Sequence, residues 1–290
     1  MKGVAERVDS LRVSRKYPLR SLAAVIVLII LLLYAVSLLA PLLWALWSSF
    51  RVQIKFSGNI WGLPNKADGF FVNYASIFSS AQILLYMWRS VLLTFVGSLT
   101  ALISSTMAAY VMARYRFRLR GLIFFLAISV MLIPTTGSMV ATYRFFEATG
   151  LLYTYLAPIL LYSSGFGASF LLLYGFFRAL PEDYKEAANI DGASEFRVFV
   201  QIMLPLTVGA LITVFILNCI SIWNDYLTVY LYMPNKPNLS VGLYMMMNDS
   251  SANYPQMFAC VIVAAVPILI LYIALSDKII KNTALGGIKG

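Results

Sequence analysis

The 290-residue chain is 61% hydrophobic and 12% charged, with mean hydropathy +0.82, a net charge of +10, two cysteines and no histidine. Soluble domains carry about a quarter charged residues, so a soluble globular fold is set aside and an all-α, polytopic membrane protein is expected. The same composition argues against a disulfide framework, a Cys/His metal site and histidine-based catalysis, and Cys219 and Cys260, both in apolar runs, read as small buried hydrophobes.

In chain order, six runs are long and apolar enough to cross a bilayer, roughly 21–47, 86–111, 121–142, 154–177, 205–231 and 256–276. The first, beginning SLAAVIVLIILLLY, follows a basic segment at 1–20 and lacks a small-residue cleavage site, so it reads as an uncleaved helix. Pro134 and Gly137 fall in the third run and Pro267 in the sixth, where neighbouring groups can satisfy the freed backbone. Basic residues set the direction. With the N-terminus inside, the cytoplasm receives sixteen of the twenty-two Lys and Arg, four of them (Arg114, Arg116, Arg118, Arg120) in one short loop. Both termini are therefore expected in the cytoplasm, and the positive charge reflects orientation rather than nucleic-acid binding. The outer segments are about 48–85, 143–153 and 232–255, the last of which, with its turn formers, reads as a partly ordered loop.

One cytoplasmic stretch, PEDYKEAANIDGASEFRVFVQIMLP at 181–205, holds five of the twelve acidic residues between two apolar runs. Pro181, followed by Glu182 and Asp183, suits a helix start. Glu186, Ala187 and Ala188 continue it, Asp191-Gly192 interrupts, and Ser194 can cap a second helix. Phe196, Phe199, Val200 and Met203 then form an apolar stripe expected to be exposed. On chemistry alone, two readings remain: an amphipathic connector resting on the lipid surface, or a docking element for a soluble partner.

The spacing decides between them. Glu186-Ala187-Ala188, three residues, Gly192, nine residues, then Ile202-x-Leu204-Pro205 matches the EAA–x3–G–x9–I–x–L–P signature at every defined position. With AAYVMARYRF, MLIP, WND at Trp223 to Asp225 and a tail ending ALGGIKG, the chain resembles the permease subunits of ATP-binding-cassette importers, and among them the smaller, maltose-type carbohydrate permease. The resemblance implies six transmembrane helices with a helical coupling loop between helices 4 and 5. It implies a cytoplasmic N-terminal segment at 1–20, a permease domain at 21–276 and a cytoplasmic tail at 277–290. The coupling set would be Glu186, Ala187, Ala188, Asp191, Gly192, Ile202, Leu204 and Pro205, with Glu186 the charged anchor to an ATPase. Gly286, Gly287, Lys289 and Gly290 would reach toward the ATPase interface.

The implied partners are a second, homologous permease subunit, a cytoplasmic ATPase dimer, an extracytoplasmic solute-binding protein touching 232–255, and a sugar. ATP and Mg would be bound by the ATPases; this chain has no GxxxxGK[ST] loop and is expected to hold no cofactor or metal and to catalyse nothing itself. The place would be a bacterial or archaeal cell membrane.

A sugar path needs hydroxyl partners and flat apolar faces. Span five supplies Asn218, Ser221, Trp223, Asn224, Asp225 and Tyr226, although polar groups also knit membrane helices together and aromatics mark the interface. The competing cargo within the same family is a polyol or glycerol phosphate. A self-sufficient carrier or channel is the competing class, and it leaves the loop unexplained; no carboxylate sits at the midplane of a span, as ion-coupled carriers require.

Overall fold

The longest central helix shows how this chain inverts the usual rule for buried and exposed faces. Its buried residues are largely small or hydroxylated, among them Ser90, Thr94, Gly97, Ala101, Ser105 and Ala109, spaced by three and four. Phe95, Ile103 and Met107 face outward instead. Lipid is as apolar as leucine, so helices in a bilayer gain from close contact through small and polar groups, with large apolar side chains left for the lipid.

A computed structural model describes residues 22–65, 69–132, 135–249 and 252–287. These residues are helical, with no strand among them. In chain order the helices are α1 (Leu22–Ser48), α2 (Gln53–Gly58), α3 (Val72–Ser79), α4 (Ala81–Arg114), α5 (Arg120–Leu132), α6 (Met139–Ala148), α7 (Leu156–Tyr162) and α8 (Ala168–Ala179). There follow α9 (Asp183–Ile190), α10 (Glu195–Leu206), α11 (Val208–Asn224), α12 (Leu227–Tyr232), α13 (Leu239–Met247) and α14 (Tyr254–Gly287). The helix α4 is the hub: it packs along α8 and α11, and α11 in turn packs on α14. The helix α1 is exposed along most of its length and rests mainly on α14, as a lipid-facing helix should.

Three helices are long and apolar enough to cross a membrane singly, within 24–48, 81–114 and 254–274. They coincide with the first, second and sixth predicted spans. The other three predicted runs are interrupted. The third is α5, a 3-10 turn (Thr135–Ser138) and α6; the fourth is α7 and α8; the fifth is α11 and α12, parted at Asp225 and Tyr226. Pro134 lies outside the described residues, as does the segment 1–20.

The segment at 232–255, expected on the outer side, is more ordered than turn-rich composition predicts. Asn238, itself buried, caps α13 by accepting from the Val241 amide at 2.9 Å. Ser90 accepts from the Leu239 amide at 2.9 Å, and the Ser240 hydroxyl donates to the Trp223 carbonyl at 2.6 Å. The expected partly ordered loop is thus a capped helix docked against α4 and α14. Burial of Leu239 and Val241 outweighs the Pro and Asn content that marks the segment as a turn.

Candidate functional site: an exposed helical hairpin and a polar cavity

The helices α9 and α10 form a hairpin whose corner is closed by a Schellman cap. Gly192 sits at φ +75°. Its amide donates to the Asn189 carbonyl at 3.1 Å, and the Ala193 amide donates to the Ala188 carbonyl at 3.0 Å. In that cap, the residue four before the left-handed glycine packs against the residue just after it. These are Ala188 and Ala193, both drawn into one apolar cluster. The spacing from Ala188 to Gly192 is therefore a geometric requirement, and the small side chain at Ala188, buried at 6% exposure, lets the corner close.

Ser194 caps α10, accepting from the Arg197 amide at 3.3 Å. The apolar stripe expected here is divided rather than exposed along its length. Val198 and Met203 are fully buried and Phe199 lies 4.7 Å from the Tyr110 ring, whereas Phe196 and Val200 point outward. A π-helical stretch (Phe199–Met203) shifts the register and produces this division. Burying Val198 and Met203 contributes about 1.5–3 kcal/mol each and fixes the hairpin to the end of α4. Beyond it the chain bends by 78° into α11. Pro205 has no amide to continue the helical ladder, and the buried Thr207 hydroxyl takes up the Met203 carbonyl at 2.9 Å.

Polar contacts pin the same corner. Lys185 on α9 lies 3.2 Å from the Glu195 carboxylate on α10 and 4.2 Å above the Tyr115 ring. The Tyr115 hydroxyl also donates to Glu195, and Arg114 donates to the Leu180 carbonyl at 2.8 Å. The Tyr115 hydrogen bond, followed by Lys185, holds the Glu195 carboxyl below its ordinary range. A depressed folded-state pKa gives support that is present above the ordinary carboxylate pKa and lost as pH falls through the folded value. Acidification is thus expected to lower amide protection factors, with intrinsic exchange rates corrected for pH, across 183–198, and Glu195→Gln to remove that loss; the change should be roughly a few-fold, since the Glu195 carboxylate is half exposed.

Glu186, Ala187, Asp191, Gly192 and Pro205 are exposed, Ile202 and Leu204 partly so. A concavity of about 630 Å³ runs between the two helices, lined by Asp183, Ala187, Ala188, Asp191, Arg197 and Ile202 among others. Ile190 at 86% exposure and Phe196 at 74% stand beside it. The eight coupling residues anticipated from sequence thus fall on one hairpin with a grooved, partly apolar outer face. In the anticipated tail, Gly286 and Gly287 end α14, and Lys289 and Gly290 lie outside the described residues.

The anticipated substrate-path residues do not form one site. Positions 218, 221, 222 and 225 share one side of α11. Asn218 and Ser221 line a half-open polar cavity with Ser105, Tyr162, Ser164 and Ser169. Asp225 accepts from the Tyr162 hydroxyl and from the Thr228 amide, both at 3.0 Å, which ties α7 to the start of α12. Trp223 faces the other way, is 7% exposed and donates from Nε1 to the Ala264 carbonyl at 3.1 Å. Asn224 bonds the Ile220 carbonyl of its own helix, and Tyr226 stacks on Tyr244 with ring centroids 4.8 Å apart. Trp223 is thus bonded into the helix packing, where it lines a separate concavity of about 290 Å³ with Asn224 and Ser240. Trp223→Ala is expected to destabilise the protein by about 3–5 kcal/mol, whereas Trp223→Phe should cost about 1 kcal/mol for the lost hydrogen bond and leave uptake intact. Thermal unfolding of the purified protein, set beside uptake in cells, checks both.

Sequence reading missed Ser105, Tyr162, Ser164 and Ser169. The run SSGFG at 163–167 was the available signal, since two glycines among small polar residues interrupt an apolar helix. Cys219 and Cys260 are free and buried, and no cluster of metal-ligating groups occurs among the described residues.

Among the described residues, a central small-residue helix, broken apolar spans and one exposed hairpin define a polytopic helical membrane protein. Residues 102–277 match the family of binding-protein-dependent transport system inner membrane components, and the chain belongs to that family. It is 31% identical to the diacetylchitobiose uptake system permease protein NgcG of Streptomyces coelicolor, over 89% of this chain and 86% of that protein. It is 29% identical to the melibiose/raffinose/stachyose import permease protein MelC of Bacillus subtilis, over 84% and 89%. In fold it resembles a chain of a bacterial ABC transporter involved in import of the acidic polysaccharide alginate, with a TM-score of 0.79 at 21% identity, covering 90% of this chain and 99% of that one.

Proposed function

We propose that this chain is a transmembrane permease subunit of an ATP-binding-cassette importer of sugars or oligosaccharides, forming half of the translocation path and driven through the α9–α10 hairpin. The observation that carries the coupling role is the Schellman-closed corner, which places Glu186, Ala187, Asp191 and Gly192 on an exposed face beside a groove. Relatives named for uptake of diacetylchitobiose and of melibiose, raffinose and stachyose support the carbohydrate cargo.

In this reading the chain crosses a bacterial or archaeal cell membrane six times with both ends in the cytoplasm, as the distribution of Lys and Arg supports. Glu186 pairs with a basic group of a cytoplasmic ATPase, and exposed Ile190 and Phe196 enter its surface in the manner of a helix in a groove. Ala188, Ile202 and Leu204 hold the hairpin on the membrane domain, so that closure of an ATPase dimer moves α10 and, across the bend, α11. ATP and Mg bind those separate subunits. A second permease completes the path, and a solute-binding protein meets the outer segments. The tail from Gly286 approaches the ATPases.

Affinity purification of this chain from its native membrane tests the assignment. Co-isolation of an ATPase dimer and a second permease is expected; recovery as a homo-oligomer without an ATPase would reject it.

A further inference from the structure

We propose that the break in the fourth predicted span, together with α4 and α11, forms a subsite for one uncharged sugar ring. This rests on the carbohydrate-import reading above and adds where the cargo is held in this chain and what its charge is. The cavity measures about 240 Å³, close to eight water molecules at about 30 Å³ each, which gives room for a single ring.

Its polar lining is hydroxyls and one amide: Ser105, Tyr162, Ser164, Ser169, Asn218 and Ser221. Hydroxyls both donate and accept, which matches the alternating needs of a sugar's own hydroxyls. The Asn218 Oδ1 accepts from the Ser169 hydroxyl at 2.8 Å, while its Nδ2 is buried without an acceptor. A buried amide with one half of its bonding capacity unused is unfavourable unless something completes it, and a sugar hydroxyl does so.

The backbone points to the same place. Gly165 at φ +73° and Gly167 at φ +133° open the helix between α7 and α8, and α8 starts without a side-chain cap. Irregular backbone at membrane depth is tolerated where it is buried in protein or lines a cavity, and interrupted helices of this kind carry substrate sites in many transporters. Phe166, partly exposed, also lines the cavity and offers a flat face to sugar C–H groups.

Among the described residues, no Lys, Arg, Asp or Glu lines the cavity. The nearby Asp225 carboxylate is already engaged by Tyr162 and the Thr228 amide. A uronate or glycerol phosphate would enter without a counter-charge, so the lining selects a neutral sugar.

The test uses the assembled transporter in proteoliposomes with its binding protein, on a Cys219→Ala, Cys260→Ala background carrying Ser221→Cys. The probes are raffinose, diacetylchitobiose and maltotriose, with digalacturonate and glycerol phosphate as acidic arms. A neutral probe that the wild-type complex transports is expected to slow maleimide labelling of the new cysteine at least about fivefold. Separately, Asn218→Leu should raise the KM for that sugar about tenfold, equal to about 1.4 kcal/mol, with the binding protein's own affinity unchanged. Transport without protection and with an unaltered KM in Asn218→Leu would overturn the subsite and leave the importer assignment standing. Protection by the acidic probes alone would overturn the neutral-sugar assignment. Transport of none of the sugars by the wild-type complex would remove the carbohydrate reading and the subsite with it.

Discussion

Gly192→Val is expected to leave the protein in the membrane at near wild-type levels and to lower ATP-driven uptake by about five- to thirtyfold. Gly192 holds φ +75°, and a Cβ built there meets nothing within 4 Å. The requirement is therefore for backbone conformation and not for space. A side chain in the left-handed region costs about 1–2 kcal/mol, and more if β-branched, which corresponds to that range of lost occupancy of the closed corner. Loss of the corner frees the Ala188 and Asn189 carbonyls from the Ala193 and Gly192 amides and unseats the hairpin from the end of α4. Asparagine visits the left-handed region more readily than other residues, so Gly192→Asn should keep at least about half of the activity. Uptake measured against membrane abundance separates the two; equal loss in both variants would mean that the glycine is needed for close contact with a partner instead.

Glu186→Lys is expected to have a larger effect for a different reason. The side chain is exposed in the first turn of α9. Its replacement costs the isolated chain about 0.3–1 kcal/mol through the helix dipole. Against a basic ATPase surface, however, charge reversal places like charges together, a penalty of several kcal/mol. Coupled uptake should fall more than about a hundredfold while ATP hydrolysis by the ATPase subunits persists at its unstimulated rate and thermal stability changes little. Retained coupling in this variant would remove the anchoring role of Glu186.

The hairpin was legible in sequence because its signals are local. The helix-start acids, the Asp191-Gly192 corner and the Ser194 cap each act within four residues, and the spacing from Ala188 to Gly192 is set by one hydrogen-bonded ring system. The division of the stripe into Phe196 and Val200 outside and Val198 and Met203 inside was not legible. It depends on a π-helical register shift against Tyr110, a residue almost ninety positions away in the chain. The cavity fails for the same reason. Ser105 and Ser169 sit in apolar runs without a periodic polar signal, and only the packing of α4, α8 and α11 brings them to Asn218. For Trp223, the aromatic beside Asn and Asp was legible, but not that the Ala264 carbonyl, far along the chain, takes its indole N–H. The helix α13 was hidden by composition: Pro237, Asn238 and Asn248 mark its ends, and turn formers at helix ends are easily read as a loop.

The central claim is that this chain transports only when an ATPase works through its hairpin. Reconstituted proteoliposomes test it by comparing radiolabelled sugar uptake for this chain alone with uptake by the complex containing its second permease, ATPase dimer and binding protein. The account predicts uptake only by the complex and only with ATP on the hairpin side, abolished by Glu186→Lys. Uptake by this chain alone, driven by a sugar or ion gradient without ATP, would contradict it.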